Sequence, residues 1–283
     1  MLIRAPAKIN LFLRIGRRRA DGYHSIVTLF HAVGWFDDLR AEKADRIVLE
    51  AAGLPSPRGA GNLVLRAADL LRHETGCTRG ASIQLHKRIP VGAGLGGGSS
   101  DAAAALLGLN RLWRLQLPRS RLLALAGRLG SDVPFFLLGG AAVGTGRGER
   151  LRSVPSRLRA WVVLAKPSFG VTTRDAYAAL DRLPPSRRPS PAVPLSDAVR
   201  AVRRGDLSGL RVHNDFEAVV FRRHPRLLAL KKALLASGAR AAVLSGSGSA
   251  VVGICGSAAT ARRTARAIRR EFRVWSVSAP LVS

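Results

Sequence analysis

Apolar and polar positions alternate loosely over residues 2–15, where Ile3, Ile9, Leu11, Phe12, Leu13 and Ile15 are apolar. That pattern predicts a strand pair or one bent strand. Arg17–Gly22 ends in Asp-Gly, a turn signal, and further strands are expected at 25–36 and 46–51. From Asn62 to Gly76 the period changes. Apolar residues at 63, 64, 67, 68, 70 and 71 recur at helical spacing, and Gly76 is placed to stop the helix. A strand at 81–89 leads into a glycine-rich loop at 92–98. Ser99 or Ser100 is expected to cap a helix running on through Ala102–Trp113. A further helix is expected at 119–129, and 139–148 is strand-like with glycine punctuation.

Beyond Pro155 the pattern predicts a strand at 160–165 and helices at 195–204 and 225–237. A strand at 240–244, a loop at 245–249, a strand at 250–255, a helix at 257–270 and a strand at 273–278 follow. Residues 183–194 are rich in Pro and Ser and are expected to be an exposed loop. Strands and helices mix in both halves with no fixed-period repeat, which is the signature of an α+β or α/β protein. The domain boundary falls near 150–160; we divide the chain into 1–153 and 154–283.

Composition narrows the class. The 283 residues are 47% hydrophobic and 23% charged, values that support a core of ordinary size and exclude wholesale disorder. Two cysteines, Cys77 and Cys255, are too few for a disulfide framework or a four-Cys zinc site. The opening MLIRAPAKIN has no apolar stretch after its basic residue, so no signal peptide is expected and the reducing cytoplasm is the expected location. The longest charge-free stretch, Ala241–Ala261, is broken by Ser-Gly-Ser-Gly-Ser at 245–249 and does not make a membrane span.

Lys and Arg number 46 against 18 Asp and Glu, a net charge of +28. Such a field attracts polyanions, nucleotides and phosphorylated metabolites. The basic residues are spread along the chain, as on a solvated surface, and aromatics at 5% are thin for a platform that stacks single strands. No specific nucleic-acid partner and no membrane partner is expected.

Four segments carry candidate chemistry. The first is Pro90-Val91-Gly92-Ala93-Gly94-Leu95-Gly96-Gly97-Gly98-Ser99-Ser100-Asp101-Ala102. Its glycines let backbone N–H groups approach an anion, the following helix adds a positive N-terminus, and the serines add hydroxyl donors. Together these make a phosphate cradle. Glycines 92, 94 and 97 also spell a dinucleotide fingerprint, but the acidic residue due about 20 positions on is missing. No Lys follows as a Walker loop requires. A plain strand-to-helix turn needs fewer glycines than this.

The second segment is Pro6-Ala-Lys8-Ile-Asn10-Leu, with Lys8 inside an apolar strand. Lys8 is either an edge residue or a cation held for a phosphoryl group or carboxylate. The third is Gly130-Ser-Asp132-Val-Pro-Phe-Phe136, where Asp132 either turns the chain or serves as a base beside a cation. The fourth is Ser245-Gly-Ser-Gly-Ser249. It is either a plain turn or a second amide cradle.

In this order and spacing the four blocks resemble the GHMP kinase superfamily. With Arg19-Ala-Asp-Gly-Tyr-His24, Asn214-Asp-Phe-Glu217 and Leu244-Ser-Gly-Ser-Gly248, the resemblance runs from residue 2 to about 256. It narrows to the branch acting on 4-diphosphocytidyl-2-C-methylerythritol. It implies an α+β, two-domain GHMP kinase fold, with an N-terminal ATP-binding domain like ribosomal protein S5 domain 2 and a C-terminal GHMP kinase domain. It implies ATP-dependent phosphorylation of the C2 hydroxyl of that cytidylated alcohol, in the non-mevalonate route to isoprenoid precursors.

ATP would be the co-substrate, with Mg²⁺ bridging its phosphates; the metal's protein ligands are left open. The family's catalytic Lys and Asp match Lys8 and Asp132. Its phosphate loop matches Pro90–Ser100, and its adenine side matches Asn62, Leu63 and Lys87. Its cytidine pocket matches Tyr23 and His24, with Tyr177 the nearest match for a second aromatic, and Asn10 falls on a substrate contact. Ser245 stands where the family often has Thr, which keeps the hydroxyl. A homoserine- or mevalonate-type kinase is one rival reading, and a basic S5-like nucleic-acid binder is another. A monomer or weak homodimer is expected.

Overall fold

The computed structural model describes residues 1–184, 186, 188–189 and 194–282. Of the Pro- and Ser-rich run expected to be an exposed loop at 183–194, residues 185, 187 and 190–193 lie outside the described residues. In chain order the first elements are β1 (Leu2–Arg18), β2 (His24–Ala44), β3 (Ile47–Gly53), α1 (Leu63–Thr75) and β4 (Gly80–Lys87). Then come α2 (Gly97–Leu112), α3 (Arg119–Leu129), α4 (Val133–Leu138), β5 (Ala141–Thr145) and β6 (Arg150–Val154). They continue with β7 (Trp161–Lys166), α5 (Thr173–Asp181), α6 (Leu195–Arg204), β8 (His213–Asn214) and α7 (Glu217–Arg223). The last are α8 (Pro225–Ala236), β9 (Ala241–Leu244), β10 (Val251–Cys255), α9 (Ala258–Phe272) and β11 (Trp275–Pro280).

Two compact units form. One gathers Met1–Ala7, Trp35–Val91 and Gly96–Gly139; the other gathers Lys8–Gly34, Gly92–Leu95 and the chain from Gly140 onward. In the first unit the strand order is β3-β4-β2. The β2 end pairs antiparallel with β4, Arg40 opposite Gln84 and Glu42 opposite Ser82. Arg40, Glu42 and Gln84 are exposed, while Leu39 and Ala41, which alternate with Arg40 and Glu42, are buried. This alternation carries β2 on to Ala44, past the end expected at residue 36. Helix α1 starts where the Asn62 side chain accepts the Val64 N–H at 2.9 Å, and it ends at Gly76 with φ 66°. Its buried residues Val64, Ala67, Ala68 and Leu71 form one stripe, which packs against α2.

In the second unit β1 lies between β2 and β8, and β5 joins β2 to β6. Residues 2–15 thus belong to one long strand, not a pair, because β1 runs unbroken from Leu2 to Arg18. A separate antiparallel sheet has the order β11-β7-β10-β9, with Val163 opposite both Gly253 and Ser278. Val162–Ala165 and Val251–Cys255 are buried throughout, so these central strands read as apolar runs. Helices α8 and α9 pack on this sheet. Helices α4, α5 and α7 were not expected from the sequence. They are short, and α5 is held by its Thr172 cap and by buried Ala176, Ala179 and Leu180. Among the described residues no helix is long and apolar enough to cross a membrane.

His31 is buried in β2. Its Nδ1 lies 2.9 Å from the Ala32 carbonyl and its Nε2 2.9 Å from the Ser156 hydroxyl. Burial pushes its pKa below the ordinary 6.5, against a smaller opposite effect of the carbonyl contact. The unfolded chain therefore takes up a proton near 6.5 while the folded one does not. The stability His31 contributes above that pH should fall as pH drops from 6.5 toward the folded value. Urea midpoints at pH 7.5 and 5.0 are expected to differ less in His31→Gln than in the parent chain. An equal difference in both would remove His31 as the cause.

Candidate active site

In the second unit β1 presents Lys8 and Asn10, both buried. Lys8 Nζ donates to Asn10 Oδ1 at 2.7 Å, and Asn10 Nδ2 donates to the Thr28 hydroxyl at 2.8 Å. That hydroxyl donates to the Phe12 carbonyl at 2.8 Å, so the orientation of the Asn10 amide is set by a chain of bonds. Asn10 Oδ1 also accepts the Gly246 N–H at 3.0 Å. Lys8 is therefore no edge lysine. Its ammonium lies inside the unit, 5.1 Å from the centre of the Phe30 ring.

The glycine loops meet here. Lys8 N–H donates to the Leu95 carbonyl at 2.9 Å, and the Ser245 hydroxyl donates to the Gly94 carbonyl at 2.9 Å. Ala250 N–H donates to the Ala93 carbonyl at 3.1 Å. The loop at 245–249 is thus laced to Gly92–Leu95 and is no plain turn between two strands. Asn214 pins the same loop from below, donating to the Leu244 and Gly246 carbonyls at 2.7 and 2.8 Å. Thr173, at the start of α5, shares a hydrogen bond of 3.0 Å with Ser247.

The rest of the phosphate-loop segment belongs to the first unit. Helix α2 begins at Gly97, with Gly96 at the cap position and φ 71°, so Ser99 and Ser100 stand inside the first turn. The expectation that one of them caps the helix is therefore corrected. A glycine accepts the left-handed conformation needed at this entry, and the cap falls at Gly96, three residues before Ser99. Gly96 makes no side-chain cap at the start of α2, where the first N–H groups of a helix have no intrahelical partner. Among the described residues the buried Ser100 hydroxyl and Asp101 Oδ1 have no hydrogen-bond partner. Pro90 is half-buried and Val91 exposed.

Asn62 is buried as the α1 cap, and Leu63 lies beside Gly98, whose added Cβ would sit 3.8 Å from its Cδ1. Lys87 is fully buried and pairs with Asp37, and with Asp101 at 2.6 Å. Burial pushes the Asp101 carboxyl up to about 7, with Lys87 opposing and Asp37 reinforcing that rise. Asp132 is half-buried at the entry to α4, and its side chain does not cap that helix.

Of the residues matched to a cytidine pocket, His24 and Tyr177 stack, ring centres 4.6 Å apart and planes at 10°. His24 Nε2 lies 2.8 Å from Asp181 Oδ1, and Phe216 meets Tyr177 edge-on at 4.9 Å. Tyr23 is 56% exposed and carries the Arg147 guanidinium 4.9 Å above its ring. Sequence reasoning assigned no role to Asn214, Thr173, Asp181 or Phe216. Asn214 and Phe216 had a signal, the block Asn214-Asp-Phe-Glu217.

Comparison with known proteins adds to this geometry. Residues 62–140 match the family model of the GHMP kinases N-terminal domain, and 198–274 match that of the GHMP kinases C-terminal region. A 4-diphosphocytidyl-2-C-methyl-D-erythritol kinase of Moorella thermoacetica is 44% identical over 271 residues, covering 95% of this chain and 94% of that protein. One from a Nocardioides species is 44% identical over 272 residues, covering 93% and 91%. The crystal structure of a 4-(cytidine 5'-diphospho)-2C-methyl-D-erythritol kinase superposes with TM-score 0.86 at 38% identity, covering both chains completely. A homoserine kinase from Cytophaga hutchinsonii superposes at 0.75 with 19% identity, over all of this chain and 94% of that one, a likeness of fold.

Proposed function

This chain belongs to the GHMP kinases, and within them to the 4-diphosphocytidyl-2-C-methyl-D-erythritol kinases; from that membership we propose how it works on its substrate. The reaction moves the γ-phosphoryl group of ATP to the C2 hydroxyl of 4-diphosphocytidyl-2-C-methyl-D-erythritol. The observation that carries this reading is the lacing of Gly92–Leu95 and Ser245–Ser249 about Lys8 and Asn10. Phosphoryl transfer asks a protein mainly for position and charge neutralisation, and buried cations among glycine amides supply both.

Asp132 takes the proton of the C2 hydroxyl as its oxygen forms the bond to phosphorus and ADP leaves. Lys8, oriented by Asn10, meets the charge on the γ-phosphoryl group. The 90–100 segment holds the ATP phosphates through its N–H groups. Mg²⁺ bound with ATP would neutralise phosphate charge. The donors here suit that complex: open amides for phosphate oxygens, and serine hydroxyls at 99 and 100 for the metal's oxygen shell. Asn62 and Leu63 line the adenine side, and the fully buried Lys87 is held by Asp37 and Asp101. Residues 1–153 and 154–283 are read as the ATP-binding and C-terminal domains, with one family-model match in each.

The test is ADP release with Mg²⁺, ATP and the cytidylated alcohol, with homoserine and mevalonate as controls. Turnover with the cytidylated alcohol alone is expected. Turnover only with a control would discard the cytidine pocket.

Tyr23, His24 and Tyr177 recognise the cytosine ring. His24 already covers one face of Tyr177, and Tyr23 holds its ring out to solvent. Tyr23→Ala is expected to raise the KM for the cytidylated alcohol about tenfold, the loss of one stacking face. The KM for ATP should not move. An unchanged KM for the cytidylated alcohol would remove Tyr23 from the pocket.

A further inference from the structure

The first unit holds three buried charges to which the reaction gives no chemical step. Lys87 ends β4, Asp37 lies on β2, and Asp101 is the fifth residue of α2. Asp37 takes the strand side: its Oδ1 accepts the N–H of Arg88 and, at 2.8 Å, that of Ile89, while Oδ2 accepts from Lys87. Asp101 takes the helix side, accepting from Lys87 Nζ at 2.6 Å. Beside the Lys87 ammonium stands Gly97, the first residue of α2. A Cβ there would come within 2.9 Å of Ile89 Cγ2 and 3.2 Å of Lys87 Nζ, so the helix backbone rests on the lysine side chain.

The usual ways of fixing a helix start are missing at this point. Gly96 offers no side-chain cap. The first turns of α2 are Gly, Ser and Ala apart from Asp101, and Ala102–Ala105 are buried. Such a smooth surface has few knobs to lock into a neighbour and fixes its register weakly. A buried ion pair seldom stabilises more than apolar residues of the same volume, and its best-attested use in proteins is to set register.

We infer that Lys87 is a positioning residue for the phosphate loop. By bridging Asp37 and Asp101 it sets where the first turn of α2 stands against β4, and so where the N–H groups of that turn meet the nucleotide phosphates. This rests on the kinase reading above, and it gives the Lys87 ammonium a task other than direct contact with adenine.

The experiment measures ATP binding by calorimetry with Mg²⁺, and the KM for each substrate, in Asp101→Ala and Lys87→Met. Asp101→Ala cuts the tie to α2 and leaves the Lys87–Asp37 pair. Both variants are expected to weaken ATP binding about tenfold, since small displacements of a bound phosphate are costly. The KM for the cytidylated alcohol should stay within about twofold. Asp101→Asn, which still accepts from Lys87, should recover most of the ATP affinity, and these two variants decide the matter if Lys87→Met does not fold.

Unchanged ATP affinity in folded Asp101→Ala would overturn the inference. So would an equal rise of both KM values, the mark of general loosening. So would a Lys87→Met effect that alters the choice between ATP and GTP while Asp101→Ala is silent, the mark of a direct base contact. Calorimetry needs no acceptor. Tight ATP binding without turnover of the cytidylated alcohol by the parent chain would therefore sink the substrate reading and leave this one standing.

Discussion

Asn in place of Asp132 is expected to lower kcat about a thousandfold while leaving the dissociation constant for ATP nearly unchanged. A positioned base contributes roughly 10²–10⁴ to a rate, and the amide keeps the shape but cannot take a proton. The acceptor is a tertiary alcohol, hindered and weakly acidic, so proton removal and alignment should both weigh on its rate. Asn keeps the size and shape of Asp, so Asp132→Asn should still melt cooperatively and the rate loss should not come from unfolding. Single-turnover rates, ATP calorimetry and thermal melts check the three parts together. Turnover near the parent value would remove Asp132 as the base.

The second large effect is expected at Gly94. Its φ is 75°, and an added Cβ would overlap the carbonyl oxygen of Ser245. Gly94→Ala should therefore push the 245–249 loop away from Gly92–Leu95 and break the Ser245 bond to the Gly94 carbonyl. We expect a fall of about a hundredfold in kcat/KM, since misplacement by about 1 Å costs that much. A loss of a few kcal/mol in stability should accompany it. Gly92→Ala is the control. Its φ is 65°, yet nothing lies within 4 Å of the added Cβ. It should cost only about 1 kcal/mol of backbone strain and keep the lacing of the loops. Equal losses in the two variants would show that glycine's conformation matters here and its closeness to Ser245 does not.

Much of the fold was legible in the sequence. The bounds of α3 and α6 follow from periodicity and punctuation alone, and the Asn62 and Gly76 caps of α1 fall where the residue types put them. Local chemistry decides such features, so a local reading finds them. What escaped had non-local causes. Helices α4, α5 and α7 are too short to carry a period, and packing holds them. The end of β2 is polar on one face, and its pairing with β4 makes it a strand. The start of α2 moved because a run of glycines gives no residue-level sign of where a helix begins.

The site divides in the same way. Residue types and their spacing determined by themselves that a glycine-rich loop before a helix, a strand lysine and a second glycine loop exist, because those features depend on side-chain identity and backbone freedom. Only the tertiary structure decided what each one touches. Asn10, 236 residues from Gly246, is brought to its N–H. Lys8 is turned inward onto Asn10, and Lys87 is set between Asp37 and Asp101. Hydrogen bonds across such separations depend on how strands and helices pack, and packing is a property of the whole chain that no window of sequence contains.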